Sequence, residues 1–184
     1  MEASSLAQIR LLFAKPYLPG LSPRSQRRAA RENIAQALAR LADKPRGSGD
    51  PTDLASHPAW ILGQDLFARG YYWEAHEAWE SLWREVAVGA EERELLHVLL
   101  QWSASLLQLR CGWTQAAQRV GQRAYARLQR LEQQTDRAVV LGVHLRQLSL
   151  GLERFLRQVA TVLRTPSSRP SRYRPRLPLN SRSS

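Results

Sequence analysis

The chain has 184 residues, of which 43% are hydrophobic, so it is long enough for one domain of ordinary size with a sizeable core. Its net charge is +11, it carries a single cysteine, Cys111, and no apolar run approaches the ~20 residues that a membrane-spanning helix needs. These features exclude an internal disulfide framework, a cysteine-rich zinc site and a transmembrane helix, and they favour a reducing compartment such as the cytoplasm.

The excess positive charge lies in the two flanks of the sequence. Residues 1–50 carry nine basic and four acidic side chains, residues 51–163 carry twelve of each, and residues 164–184 carry six arginines and no acid. Because the middle is neutral, this distribution argues against a domain that reads DNA through a basic folded surface. The sequence divides into an N-terminal helical extension and linker (1–50), an all-helical domain (51–163) and a disordered tail rich in Arg, Pro and Ser (164–184).

The N-terminal extension is predicted to contain one helix. Ser22 suits its N-cap, Pro23 suits its first helical position, and Pro45 ends it. Its apolar stripe is modest, so we expect this helix on the surface of the main domain. A Gly/Pro/Asp-rich linker then leads to the main domain.

The main domain shows no alternation of period two, which is typical of strands, whereas apolar residues recur at intervals of three and four. This pattern predicts helices over residues 58–68, 72–86, 90–110, 114–133 and 136–163, the last with Gly142 and Gly151 as candidate points of interruption. Short connections make consecutive helices antiparallel neighbours. The predicted fold class is therefore all-α, a single compact bundle of about five to six helices followed by a disordered basic tail.

The stretch YYWEAHEAWESLWR mixes aromatic and acidic residues on the second helix of the main domain. At ~100° per residue, His76 and Glu80 lie one turn apart in the middle of its aromatic face, and Glu77 lies on the rim. Glu74 and Glu85 point the opposite way and are expected to be solvated. A carboxylate on an apolar face must be paired, hydrogen-bonded or protonated, so the pattern indicates a polar site or network.

The following helix supplies a matching polar side. Gln101 lies inside the apolar run LLQWSASLL and needs partners for up to four hydrogen bonds. Arg84 follows Glu80 by four residues and is a candidate ion-pair partner for it. We predict that the polar side chains of the two helices converge, namely His76, Glu77, Glu80 and Gln101, with His97 as a further candidate.

Three interpretations of this cluster stay open. The first is a buried polar network that fixes the register of the helices, with Arg84 neutralising it. The second is a divalent metal site at His76 and Glu80, although the second His of HExxH metalloproteases and the ExxH pairs of di-metal bundles are absent. The third is an acid–base site, in which His76 or Glu77 moves a proton and Gln101 orients a substrate. No nucleophile or nucleotide-binding motif accompanies the cluster, so the pattern leaves enzymatic activity open.

The residues FARGYYWEAHEAWESLWR and LLQWSASLLQLRCGWTQAA resemble the family known as domain of unknown function 309, small all-helical proteins of mostly bacterial and plastid type. The resemblance covers roughly residues 60–130 and departs from the family pattern at His97 and Val98, where the family usually has Gln-Gly. It implies an all-helical bundle in which His76, Glu77, Glu80 and Gln101 form the family signature. It also implies the plastid stroma as the compartment if the source bears plastids. It implies no activity, because the function of the family is unestablished.

Two kinds of function follow from these patterns. One is a polar pocket between the second and third helices of the main domain, which takes a metal ion or a small molecule. The other is a non-enzymatic accessory role, in which the basic flanks bind RNA or an acidic protein partner. The tail, residues 164–184, is the expected place of a weak and salt-sensitive contact with nucleic acid or an acidic partner, and no membrane partner is expected.

Overall fold

The computed structural model describes residues 7, 9–43, 53–164 and 177–179. These ranges contain six α-helices: α1 (Arg24–Ala42), α2 (Pro58–Arg69), α3 (Tyr72–Glu85), α4 (Glu91–Arg110), α5 (Thr114–Gln134) and α6 (Leu145–Arg164). A 3₁₀ turn (Leu54–Ser56) precedes α2, and two short strands, β1 (Val139–Val140) and β2 (Val143–His144), lie between α5 and α6. The all-α fold class is confirmed, whereas most of the predicted disordered tail lies outside the described residues.

From α2 to α6, each helix packs against the next, and α1 lies against α2 and α3. The core of the bundle is aromatic, and the Phe67 ring lies 5.3–5.4 Å from the rings of Tyr72, Trp79 and Trp102. At Gly63, α2 and α3 approach so closely that a methyl group would overlap the Trp79 indole. The absence of a side chain at this position therefore lets a buried tryptophan fill the space between the two helices.

The ends of the first two helices follow from capping. The α2 helix begins with Pro58, the imidazole of His57 accepts the Ala59 N–H at 3.1 Å, and Gly70 ends the helix at φ +82°. The predicted cap of α1 was wrong by one position. The helix begins at Arg24 after Pro23, and the Ser22 hydroxyl accepts the N–H of Leu18 at 3.0 Å instead of capping the helix.

A β-hairpin replaces the first part of the last predicted helix, so the prediction that the main domain holds no strand was wrong. β1 and β2 pair antiparallel through the buried Val140 and Val143. Leu141 and Gly142 form the turn with φ of 48° and 74°, and positive φ at both central residues is what a tight two-residue hairpin requires. Of the two candidate interruptions, Gly142 lies in this turn, whereas Gly151 lies inside an unbroken α6.

The segment before α1, residues 9–22, packs against the bundle, and we call it the N-terminal strap. Ile9, Phe13 and Tyr17 recur every four residues, and all three are buried. The Tyr71 hydroxyl donates to the Phe13 carbonyl at 2.7 Å, and the Tyr17 ring contacts Trp73 edge-on at 4.9 Å. The strap therefore covers the beginning of α3 and gives that end of the helix a second buried side.

Candidate functional site

A line of polar and aromatic side chains runs along the contact between α3 and α4, and we call it the polar seam: His76, Glu80 and Trp83 on α3, His97 and Gln101 on α4. All five side chains are partly buried. The centre of the buried face of α3 is formed by small and aliphatic residues, mainly Ala75, Ala78 and Leu82. These three lie about 100° or more from His76 on the helix, so His76 and Glu80 lie at the edge of the buried face. The sequence pattern predicts both residues in the middle of the face instead.

His76 connects α3 to the backbone of α4. Its Nδ1 lies 3.1 Å from the carbonyl oxygen of Leu100 and 3.3 Å from Oγ of Ser103. Because a carbonyl oxygen only accepts hydrogen bonds, the Nδ1 atom carries the proton in this bond. Ser103 donates to the same carbonyl at 2.9 Å, so the imidazole is held in one orientation by groups of the neighbouring helix.

The two glutamates of the predicted cluster have separate partners. Glu80 Oε1 accepts from Arg84 Nη2 at 2.7 Å, and its side chain is 33% exposed. Glu77 Oε2 accepts from Arg31 Nε of α1 at 3.1 Å. The first contact is the ion pair that the spacing of four residues predicts, and the second joins α3 to a helix that lies outside the predicted cluster.

Gln101 is the central polar residue of α4. Its Nε2 lies 3.5 Å from Nε2 of His97, at the long end of hydrogen bonding, and its buried Oε1 has no hydrogen-bond partner among the described residues. The structure thus brings Gln101 next to His97, while His76, Glu77 and Glu80 each bond to other groups. Whether these residues act together on a ligand stays a prediction.

His97 lies in a rigid and positively charged setting. Its ring contacts the Trp83 indole edge-on at 5.6 Å, and the Arg93 guanidinium lies 4.1 Å from the same indole while it donates to the Trp83 carbonyl. Burial lowers the pKa of His97, and the charge of Arg127 lowers it further against the opposing effect of Glu94. His97 is therefore neutral near pH 7 and can accept a hydrogen bond.

Glu74 contradicts the expectation that it points to solvent, because its side chain is buried, with 1% exposed. The N-terminal strap covers it, and the N–H of Tyr17 donates to Oε1 at 2.7 Å. Its Oε2 is buried and has no hydrogen-bond partner among the described residues. Glu85, by contrast, is exposed as expected. The signal that was missed is the four-residue repeat of Ile9, Phe13 and Tyr17, which predicts an apolar side that needs a partner surface.

Burial raises the pKa of Glu74 to about 7, and the hydrogen bond from the Tyr17 N–H and the charge of Arg110 oppose this shift. Arg110 does not pair with the carboxylate directly. It donates to the Gly70 carbonyl at 2.8 Å, and its guanidinium lies 4.8 Å from the centre of the Tyr72 ring. Near neutral pH a large fraction of Glu74 is therefore protonated, and the carboxylic acid can act as a donor as well as an acceptor.

A second surface is defined by its positive charge. The net charge of the whole domain hides this surface, because the two halves of the domain have opposite charges. Residues 53–113 carry four arginines and nine carboxylates, a net charge of −5, whereas residues 114–164 carry nine arginines and three carboxylates, a net charge of +6. The two acidic residues of α5 and α6, Glu132 and Glu153, are partly buried, and Glu153 pairs with Arg157. We call the exposed polar side of α5 the basic face; it consists of Gln115, Arg119, Gln122, Arg123, Gln129 and Arg130.

The arginines of the basic face have no carboxylate partner among the described residues. Arg119, Arg123 and Arg130 point in directions within about 40° of each other around α5. None of the three forms an ion pair with another described residue, whereas Arg127, which turns towards α4, pairs with Glu94. Their charges are therefore available to a ligand, without an intramolecular ion pair to break first.

These features define the class of the protein: an all-helical bundle whose α3 and α4 are joined by a polar seam. Residues 60–120 match the model of the family described as Domain of unknown function (DUF309), which confirms the family resemblance read from the sequence. The match includes the seam, Glu74 and the first part of α5, and it leaves out the strap, the hairpin and α6. No curated protein and no solved structure matches the chain.

The described residues show neither a cluster of metal ligands nor a helix that could span a membrane. Among the residues that the structure describes, no group of three or more His, Cys, Asp or Glu side chains is placed to hold a metal ion. The two predicted ligands, His76 and Glu80, are hydrogen-bonded to a backbone carbonyl and to Arg84. Within the described ranges, every helix is too short or too polar to cross a membrane.

Proposed function

We propose that the protein is a non-enzymatic accessory protein that binds RNA through the basic face of α5, with the arginines of α6 adding to its positive field. The observation that carries this proposal is the group of three arginines on the basic face of α5 that pair with no described carboxylate, together with the absence of acidic residues from that face. Guanidinium groups bind phosphate oxygens through charge-assisted hydrogen bonds, and glutamine amides can both donate to and accept from sugars and bases.

The chemistry of α5 favours RNA over a lipid surface. The apolar side of the helix, which includes Ala117, Ala124 and Leu128, is buried against the bundle. A helix that binds a membrane needs its apolar side free to enter the lipid, and α5 has none to offer. Arg119 and Arg130 are eleven residues apart, which corresponds to ~16 Å along the helix, enough to follow several phosphates of one strand.

The polar seam supports a structural role for the family signature. His76 holds α3 to the backbone of α4, Arg84 neutralises Glu80, and Glu77 ties α3 to α1. Buried and half-buried polar bonds of this kind fix the register of packed helices. The seam would thus keep α4 in place as the support on which α5 packs.

The test measures binding of a fluorescent single strand of about twelve nucleotides of RNA by anisotropy at increasing salt, a length within the range that single-strand-binding folds cover. We expect the triple variant Arg119→Gln, Arg123→Gln, Arg130→Gln to weaken binding and to reduce the slope of log K against log salt by roughly 2, since each phosphate contact to a single strand adds ~0.7. The matched control removes the same charge from α1 through Arg24→Gln, Arg27→Gln and Arg40→Gln, all at exposed positions.

Three outcomes would contradict the proposal. Equal losses in the two triple variants would mean that binding follows net charge and not the basic face. Competition by polyglutamate as strong as that by RNA would point to an acidic protein partner. Tighter binding to anionic vesicles than to RNA would point to a lipid surface.

A further inference from the structure

Trp113 stands out among the six tryptophans of the chain. Trp60, Trp73, Trp79 and Trp102 are buried and Trp83 is partly buried, whereas Trp113 is 50% exposed. It lies directly before α5, at the end of the basic face that begins with Gln115. Single exposed apolar side chains are common on protein surfaces, so what matters for Trp113 is the group of residues around it.

The backbone and surroundings of Trp113 hold the indole in place. The backbone N–H of Trp113 donates to the carbonyl of Gln108, and the backbone carbonyl of Trp113 accepts the N–H of Ala117, both at 2.9 Å. The ring lies beside Gly20 of the N-terminal strap, where a Cβ atom would come within 3.6 Å of Cζ2. The strap thus supports one edge of an indole that remains half open to solvent, and a ligand would find the ring already oriented.

Trp113 and Arg119 line one shallow, open groove. The groove has a volume of about 310 Å³, and its lining residues are Gly112, Trp113, Thr114, Gln115, Ala116 and Arg119. The half-exposed Trp113 offers a flat aromatic surface, and Arg119 offers a guanidinium without a described carboxylate partner. An aromatic surface next to a cation is the combination that proteins use to stack a base and hold its phosphate.

We infer that Trp113 stacks on an unpaired base of single-stranded RNA while Arg119 contacts a neighbouring phosphate. This inference rests on the proposed function and adds to it the state of the nucleic acid that is bound. Only an unpaired base can leave its neighbours and stack on a side chain, because the bases of a duplex are already stacked on each other. The site therefore selects single strands over duplexes.

The test compares Trp113→Leu, which keeps an apolar side chain but no aromatic face, with Trp113→Phe, which keeps an aromatic face. Three probes are used: an RNA strand of about twelve nucleotides, its duplex, and a strand of the same length whose nucleotides are abasic. We expect Trp113→Leu to bind the single strand about tenfold or more weakly, in line with the loss of one base–aromatic stack. The duplex and the abasic strand should bind as they do to the unchanged protein, and Trp113→Phe should keep most of the affinity.

An equal loss of affinity for the abasic strand, or no loss for the single strand, would overturn the inference. Thermal unfolding of Trp113→Leu and Trp113→Phe shows whether a loss of affinity reflects a loss of fold. If both variants are equally stable and only Trp113→Leu binds weakly, the loss comes from the missing aromatic face. The proposed function fails if the α5 triple variant binds RNA unchanged. If that variant binds weakly but Trp113→Leu does not, RNA binding stands and the stacking site alone fails.

Discussion

Glu74 makes the stability of this fold depend on pH in a direction that can be worked out. Its pKa is about 7 in the folded chain, because burial disfavours the carboxylate, and 4.5 is the ordinary value that applies when the chain is unfolded. Between these two values the folded state binds the proton more tightly, so the free energy of unfolding falls as the pH rises. The fall begins near pH 4.5 and is complete above pH 7. A difference of about 2.5 pKa units corresponds to about 3 kcal/mol.

Replacing Glu74 by glutamine should remove this dependence. Glutamine has the same shape and keeps an oxygen that accepts the Tyr17 N–H, but it carries no charge at any pH. We expect the unchanged protein and Glu74→Gln to have similar stabilities near pH 4.5, and the variant to be more stable by about 3 kcal/mol at pH 8. Urea unfolding followed by tryptophan fluorescence over this range gives both curves, and their difference cancels the groups common to both, such as His97.

The control is Asp136→Asn, at an exposed position between α5 and β1, which should leave the shape of the curve unchanged. Parallel curves for the unchanged protein and Glu74→Gln would refute the reasoning, because they would mean that Glu74 loses its proton at the same pH in the folded and in the unfolded chain. A variant less stable at pH 8 than the unchanged protein would show that the carboxylate is stabilised by Arg110 more strongly than it is destabilised by burial.

Three further predictions concern the bundle and its seam. Gly63→Ala should destabilise the protein by about 1–3 kcal/mol, because the added methyl overlaps the buried Trp79, and chemical unfolding measures the loss. His76→Ala should cost about 1 kcal/mol in unfolding experiments, since it removes one hydrogen bond between α3 and α4, while RNA affinity stays the same. Elemental analysis of the purified protein should find no stoichiometric zinc, manganese or iron; one equivalent that is lost in Glu80→Gln would establish the metal interpretation of the seam instead.

Much of the helical architecture was accessible from the sequence. The bounds of α2 to α5 agree with the predicted ranges within about one residue, because Gly70 and Gly112 end helices and the apolar residues between them follow the helical period. The β-hairpin was missed, because strands of two residues are too short to show alternation. Its turn, Leu141-Gly142, also lacks the Asn-Gly or Asp-Gly pair by which such turns are usually recognised.

The buried state of Glu74 was beyond a single-helix argument. A helical wheel centred on the aromatic side around His76 places Glu74 on the opposite side of α3. What buries it is the strap, whose Tyr17 is 57 residues away in sequence. Only a contact between distant segments distinguishes this carboxylate from the solvated Glu85.

The basic face was hidden by the choice of the segment over which charge was summed. Residues 51–163 are neutral as a whole, but the acids gather before α5 and the arginines after its start. The fold then turns this division along the chain into a division in space, since α5 and α6 pack together. A running sum of charge along the sequence would have shown the change of sign near residue 114.

The segment that matches the family model and the segment that packs into one core are often treated as the same. In this chain they differ, because the strap and α6 belong only to the second. The family match ends at residue 120, the seventh residue of α5, whereas Leu152 and Phe155 of α6 are fully buried in the same core as Ile9. A fragment cut to residues 60–120 would lack both covers and would expose apolar surface on two sides. We expect the smallest autonomous folding unit to extend from the strap to the end of α6, well beyond the region that matches the family model.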